Sequence, residues 1–156
     1  YNYMELKLEE DLNIVLPDNV KVWGHKFILD DDCVRNSNNI GYGRTWRQQI
    51  WLNKQRNEQK AKLVELGKKA AETYSGKTMT RCFCVVDVTN KTNHRFDPPN
   101  FELTQKDLMD GIVQGGVLED DNSKVIVGTL FRDGGEKMRT NYTMTIRLYD
   151  LSKEEQ

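Results

Sequence analysis

Acidic side chains recur through the segment from Asp97 to Asp121 in three kinds of position. Asp97 follows a strand-like run, Asp110 falls within a helical pattern, and Asp120 and Asp121 stand in a turn before the next strand-like run. Carboxylate oxygens are the ligands that hard cations such as Mg²⁺ prefer, and such ions can activate water and orient a phosphate. These residue types suit metal-assisted phosphodiester hydrolysis, provided that the two ends of the segment converge.

Lys106 precedes Asp110 by four residues, so both side chains share one face of the predicted helix. A lysine in that place can hold a scissile phosphate or stabilise charge in the transition state. The competing interpretation is a solvated acidic turn, and the run from Asp97 to Asn100 also suits a loop with side-chain to backbone hydrogen bonds. An EF-hand loop starting at Asp120 is excluded, because the required glycine and distal glutamate are absent.

Two helices are predicted to position these residues. The first is a long proline-free stretch that opens at Thr45 and ends near Tyr74 to Gly76. The second starts at Thr104 and runs to Gly115-Gly116. Thr104 and Asp107 form the Ser/Thr-x-x-Glu/Asp signal that is typical of a helix start. We expect a stripe at helical spacing on the long helix to face the core, with Trp46 at its head, and Trp51, off that stripe, to pack on a partner subunit. The stripe comprises Trp46, Ile50, Asn53, Asn57, Ala61, Val64 and Ala71.

Strands are predicted by alternating apolar residues at 80–89, 125–131 and 139–149, with one or two more between Met4 and Asp32. The turn residues Asp133-Gly-Gly135 predict that the last two of the three form an antiparallel hairpin. The order of elements predicts an α+β fold, an antiparallel or mixed sheet with one long and one short helix packed on one face.

The composition fits one domain over residues 1–156, with frayed ends at 1–3 and about 151–156. A charged fraction of 30% and the absence of a long apolar run favour a soluble, cytoplasmic protein that is not associated with a membrane. Cys82 and Cys84 alternate within one strand and are expected to be reduced and buried. The net charge of -1 argues against a globally basic nucleic-acid binder.

Charge is nevertheless unevenly distributed. Between Arg44 and Lys69, eight basic residues face only Glu58 and Glu65, a surplus of six. Such a helix can follow a phosphate backbone, and its alternative is a solvated helix face. Arg95, beside Asp97, can also touch phosphate, whereas His94 is expected to be a surface residue.

At the acidic segment the sequence resembles the RusA family of Holliday-junction resolvases. That family's pattern is a basic residue, Asp-x-Asp-Asn, a helix with a lysine and a later aspartate, then glycine and a terminal Asp-Asp. From Lys106 to Asp121 the spacing is ungapped. The matching positions are Arg95, Asp97, Asn100, Lys106, Asp110, Gly116, Asp120 and Asp121.

The resemblance implies a RusA-like fold and a homodimeric, bacterial or phage-encoded endonuclease that cleaves four-way DNA junctions in recombination and repair. It implies Mg²⁺ as the cofactor, with Mn²⁺ as a substitute. It also implies that Asp97 and Asp121 bind metal, that Glu102 or Asp120 completes the ligand set, and that Lys106 contacts phosphate. The candidate catalytic residues are then Asp97, Lys106 and Asp121, and the candidate DNA-binding residues are Arg44, Arg47, Lys54, Arg95, Asn100 and Lys106.

Two departures from the family pattern bear on activity. Pro99 stands where the family has its second aspartate, and about three extra residues separate Asn100 from Lys106. Glu102 is the first candidate to supply the missing carboxylate and Asp110 the second. The alternative functions are a RusA-like protein that binds DNA without cutting it and a non-catalytic interaction module.

Overall fold

The computed structural model of the chain describes residues 20–30, 45–91, 97–135 and 141–152. A short 3-10 helix, Pro98–Phe101, leads directly into the second α-helix. The α+β prediction is confirmed, because the chain forms a four-stranded mixed sheet with two α-helices. The elements in chain order are β1 (Lys21–Leu29), α1 (Trp46–Ala71), β2 (Cys82–Thr89), α2 (Glu102–Gln114), β3 (Ile126–Asp133) and β4 (Tyr142–Asp150).

The strand order in the sheet is β1-β4-β2-β3. Strand β4 is antiparallel to both β1 and β2, whereas β3 pairs with β2 in parallel. The predicted antiparallel hairpin between β3 and β4 is therefore wrong. Turn residues mark a reversal of the chain but not the strand's partner, and β4 is buried on both faces, at Met144 and at Tyr149, as suits a central strand.

Helix α1 begins where its sequence predicts. The Thr45 hydroxyl accepts a hydrogen bond from the Gln48 N–H at 3.2 Å, and the Gln48 side chain accepts one from the Thr45 N–H at 3.2 Å. This reciprocal pair is a capping box, which satisfies two backbone donors at the start of the helix. The described helix ends at Ala71, with Glu72 as its C-cap.

Only the last third of α1 is packed in the core. Its buried residues are Leu63, Gly67, Ala70 and Ala71, and none lies before Leu63. The expectation that Trp46 belongs to the core is wrong, because its side chain is 78% exposed. Helical spacing identified a face of the helix but not how much of the helix lies against the sheet.

Helix α2 begins at Glu102, two residues before the predicted start at Thr104. Pro98 and Pro99 occupy the first turn of the preceding 3-10 helix, where a fixed φ is already suitable for helical geometry and no backbone donor is lost. Thr104 and Asp107 are instead buried within α2, at 0% and 5% exposure. The helix N-cap is Phe101, which makes no side-chain capping bond.

The main core lies between the helices and one face of the sheet, as predicted. Leu63 of α1 and Leu108 and Ile112 of α2 pack in one cluster with Cys84 and Ile146 of the sheet. Cys82 and Cys84 are both fully buried. Burial raises the pKa of the Cys82 thiol to about 12 and raises that of Cys84 as well, so both stay protonated.

The opposite face of the sheet carries a compact charged cluster. Asp87 of β2 accepts two hydrogen bonds from Arg132 of β3, at 2.8 and 3.0 Å, and one from Arg147 of β4 at 2.5 Å. These side chains are largely shielded, with 13% exposure for Asp87 and 21% for each arginine. One carboxylate therefore ties together three adjacent strands.

Candidate functional site

The acidic segment runs from one end of the β2–β3 pair to the other. Because these strands are parallel, α2 must carry the chain back from the end of β2 to the start of β3. The ring of Phe101, just before α2, lies 5.8 Å from the ring of Tyr142, the first residue of β4. After α2, Leu118 forms a parallel bridge with Met79, which precedes β2. The two flanks of α2 therefore lie at opposite ends of the strands.

The second flank brings three carboxyl groups together. The pKa of Asp121 is raised, first by partial burial, then by a side-chain hydrogen bond with Asp120, and further by the charge of Asp110 and a hydrogen bond to it. Asp110 lies near the end of α2, and the chain folds back after Gly116, whose φ is +88°, so that Asp121 returns beside it. We call Asp110, Asp120 and Asp121 the acidic cluster.

Local hydrogen bonds hold the turn that carries the cluster. The Asp121 N–H donates to Asp120 Oδ1 at 2.7 Å, and the Asn122 amide donates to Asp120 Oδ2 at 3.0 Å. Asn122 Oδ1 in turn accepts from the backbone N–H groups of Lys124 and Val125, at 3.0 and 3.3 Å. This side-chain bonding fixes the backbone before β3 and thereby the direction from which Asp121 approaches α2.

The structure does not bring the predicted ligands Asp97 and Glu102 to the acidic cluster. Asp97 is the N-cap of the 3-10 helix, and Glu102 is the exposed first residue of α2. Eight residues of α-helix separate Glu102 from Asp110, a rise of about 12 Å. Ligands of one Mg²⁺ lie only about 2.0–2.1 Å from the ion, so Glu102 would share an ion with Asp110 only if both side chains extended fully toward each other along the helix.

Asp110, the second candidate for the missing carboxylate, lies beside Asp121. The sequence offered it only as the second candidate, because its position on a helix does not reveal that the chain returns to it. The available signal was its spacing to Lys106, one helical turn earlier. Lys106 is exposed on α2, so its ammonium group is accessible to a ligand approaching the acidic cluster.

The predicted DNA-binding residues fall into three groups. Arg47 and Lys54 are exposed on the first half of α1, and Lys106 lies on α2. Asn100 is half-buried in the 3-10 helix, where its N–H donates to the Asp97 carbonyl at 2.9 Å. Arg44 and Arg95 lie outside the described residues.

Helix α1 is joined closely to the helix that carries Asp110. A Cβ atom on Gly67 would lie 2.1 Å from the Leu108 carbonyl oxygen, and one on Gly111 would lie 2.0 Å from the Val64 carbonyl oxygen. The helices therefore touch backbone to backbone, and Gly111 is the residue immediately after Asp110. The basic helix and the acidic cluster are parts of one packed unit.

The chemistry of the cluster suits a hard cation. Two carboxyl groups that share a hydrogen bond need a proton between them, and a divalent cation can neutralise the same charges without one. Across the described ranges, no three or more His, Cys, Asp or Glu side chains are already arranged to hold a metal ion. Binding would therefore require the carboxylates of Asp110, Asp120 and Asp121 to turn toward the ion.

Comparison with known proteins adds no assignment. No protein-family model matches the chain, and no curated protein matches it. In the part of the chain that the structure describes, no helix has the length and apolar character needed to cross a bilayer. The function must be inferred from the site itself.

Proposed function

We propose that this chain is a Mg²⁺-dependent endonuclease that cleaves branched DNA, including four-way junctions, as a homodimer. The observation that carries the proposal is the contact of Asp121 with both Asp110 and Asp120, one helical turn from Lys106. The resemblance to the RusA family at Lys106 to Asp121 agrees with it. Metal-dependent hydrolysis of a phosphodiester uses anionic side chains that hold the metal ion and can use a cationic side chain that holds the phosphate; here the three aspartates and Lys106 suit these roles.

The roles of the residues follow from their positions. Asp110, Asp120 and Asp121 hold the metal ion, for which Mn²⁺ can substitute. When bound, the ion supplies charge neutralisation at the phosphate and a more acidic water. Lys106 binds a non-bridging phosphate oxygen and stabilises its charge, and the basic first half of α1 binds the DNA backbone. Asp97 and Glu102 have no role in this metal site.

A cleavage assay tests the proposal. A labelled four-way junction, a fork and a linear duplex are incubated with the protein, with Mg²⁺ or with EDTA, and the products are examined for paired nicks. We expect Mg²⁺-dependent nicks in the junction. Since loss of a residue that merely supports a metal ligand costs about 10–100-fold, Asp110→Asn and Asp121→Asn should each reduce the rate at least about 100-fold.

Two variants sharpen the assignment. Glu119→Gln removes an exposed carboxylate next to the cluster and should leave the rate within about threefold of the parent, as surface substitutions usually have small effects. Asp97→Asn should do the same. A large loss with Asp97→Asn would show that the metal site is not the acidic cluster, and junction binding without any nicks would show a binding protein instead of a nuclease.

A further inference from the structure

The first half of α1 exposes two tryptophans beside cations. Trp46 is 78% exposed and Trp51 is 58% exposed. Trp46, Ile50 and Lys54 follow one another at four-residue spacing, and Arg47 precedes Trp51 by four, so two adjacent rows each combine a tryptophan with a basic side chain. We call the surface formed by Trp46, Arg47, Ile50, Trp51 and Lys54 the tryptophan patch.

This surface lies on the part of α1 that precedes its packed last third. The buried positions of α1 lie only in its last third, at Leu63, Gly67, Ala70 and Ala71, and begin twelve residues after Trp51. Ile50 is itself 48% exposed, which leaves the patch open to a partner along its length. Large aromatic side chains exposed on a helix lower the solubility of a protein, and patches of this kind mark interaction sites.

Charge selects the class of partner. Between Trp46 and Lys62, five basic residues stand against one acidic residue, a surplus of four. Pairing this helix with its copy in a second chain would bring two such surpluses together, and like charges in contact are unfavourable. A polyanion is complementary to the same surface, because its phosphates pair with the cations and release counterions.

We propose that Trp46 and Trp51 stack on unpaired DNA bases while Arg47 and Lys54 hold the adjoining phosphates. The proposal rests on the proposed function, since it names the feature of branched DNA that this helix recognises. Aromatic rings bind unstacked bases of any sequence, and base faces are uncovered in single strands, at duplex ends and where stacking is interrupted at a branch point. Away from its ends, duplex DNA offers the patch its phosphates but no base faces.

The patch is distant from the acidic cluster. Trp51 and Trp46 lie about 24 and 32 Å along the helix from Gly67, where α1 touches α2 beside Asp110. At about 3.4 Å per nucleotide along one strand of a duplex, this separation corresponds to roughly seven to nine nucleotides. Base stacking at the patch and chemistry at the cluster can therefore be measured separately.

Binding in EDTA tests the proposal without any requirement for cleavage. The anisotropy of labelled oligo-dT of 20 nucleotides, and of a paired duplex of the same length, is measured against the full chain and its variants. We expect Trp46→Ala and Trp51→Ala each to weaken binding of oligo-dT about 5- to 100-fold and of duplex less than about threefold. Trp46→Phe, which keeps an aromatic face, should recover most of the affinity.

Matched controls separate stacking from charge and from folding. Ile28→Ala, at an exposed position of β1 outside the patch, removes apolar surface without an aromatic ring and should change oligo-dT binding less than about twofold. Lys54→Gln should weaken both DNAs alike and lower the slope of the salt dependence by about one. Since all these side chains are exposed, the melting temperature should stay within about 2 °C of the parent.

The outcomes distinguish this proposal from the proposed function. Tryptophan-dependent binding of oligo-dT by a chain that never nicks a junction would support the stacking role and contradict the nuclease. Normal junction cleavage, with Trp46→Ala and Trp51→Ala binding oligo-dT like the parent, would overturn the stacking role alone. Conversion of a dimer to a monomer by either substitution, without loss of DNA affinity, would overturn it too and assign the patch to subunit contact.

Discussion

Gly67 of α1 and Gly111 of α2 cross with their backbones in contact. A Cβ atom on either glycine would come within about 2 Å of a carbonyl oxygen of the other helix, at 2.1 Å for Gly67 and 2.0 Å for Gly111. Helix axes normally pack 8–10 Å apart because side chains lie between them, and two glycines remove that separation. This crossing sets the position of the basic helix relative to Asp110.

The first prediction concerns this crossing. Replacing glycine with alanine inside a helix normally stabilises it by about 1 kcal/mol. Overpacking a core, however, costs about 1–3 kcal/mol, and here the added methyl group would clash with backbone atoms. We expect Gly67→Ala and Gly111→Ala each to lower the free energy of unfolding by about 2 kcal/mol in urea denaturation. Gln55→Ala, at an exposed position of α1, should change it by less than about 0.5 kcal/mol. A more stable Gly67→Ala variant would show that the helices can separate without cost.

The second prediction concerns the acidic cluster and pH. The pKa of Asp121 is raised above its ordinary value of 3.8, so ionising the carboxylate disfavours the fold. This cost is absent below pH 3.8 and is complete once the pH has risen through the folded pKa. In EDTA, Asp121→Asn should therefore raise the melting temperature at pH 7 by about 1–3 °C and leave it nearly unchanged at pH 3.

Without metal, Asp121→Asn should melt at a higher temperature than the parent, but it should not be stabilised further by Mg²⁺. Mg²⁺ should raise the melting temperature of the parent chain at pH 7, because an ion that binds only the folded state stabilises it. Asp121→Asn should lose that increase, whereas Glu119→Gln should keep it. An equal Mg²⁺ effect in all three proteins would place ion binding elsewhere on the chain.

The third prediction concerns the charged cluster across β2, β3 and β4. Without the Asp87 carboxylate, the largely shielded guanidinium groups of Arg132 and Arg147 lose three charge-assisted hydrogen bonds and repel each other. We expect Asp87→Ala to lower the free energy of unfolding by about 2–3 kcal/mol, measured by urea denaturation. Adding Arg147→Ala to that variant should restore part of the loss, since the repulsion disappears; further destabilisation would argue that packing dominates.

The fourth prediction concerns the buried thiols. Burial raises the pKa of Cys82 from its ordinary value of 9.0 to about 12 and also raises that of Cys84, so neither forms the reactive thiolate near neutral pH. Cys33→Ser leaves Cys82 and Cys84 as the two thiols of the chain. In this variant, the native protein should not react with a chromogenic disulfide reagent at pH 8, whereas the unfolded protein should react at both thiols. Rapid reaction of the native protein would show that β2 opens readily.

Local signals explain which parts of the fold were predictable. The alternation of Cys82, Cys84, Val86 and Val88 predicted β2 and its core-facing side, and Thr45 marked the start of α1. Each of these patterns acts within a few residues. The partner of β3 depends on contacts distant in sequence, so a turn at Asp133 to Gly135 carried no information about it.

The candidate site was predictable only in part for the same reason. The sequence identified Asp121, Asp120 and Lys106, but it paired Asp121 with Asp97 and Glu102, which the parallel connection through α2 leaves at the far end of the helix. The exposure of Trp46 was missed because Asn53 and Asn57 were accepted in a stripe otherwise read as apolar. Two amides on one face indicated that this part of α1 lies in water.

The limited burial of α1 has a consequence for its folding. An isolated helix shorter than about 12–15 residues is marginal in water, and no described residue of the first half of α1 is buried in the core. Backbone amides should therefore exchange with solvent slowly around Leu63 to Ala71 and progressively faster toward Trp46. A nucleic acid bound at the tryptophan patch would extend slow exchange toward Thr45. Slower hydrogen exchange in the first half of α1 would therefore indicate that the patch is occupied.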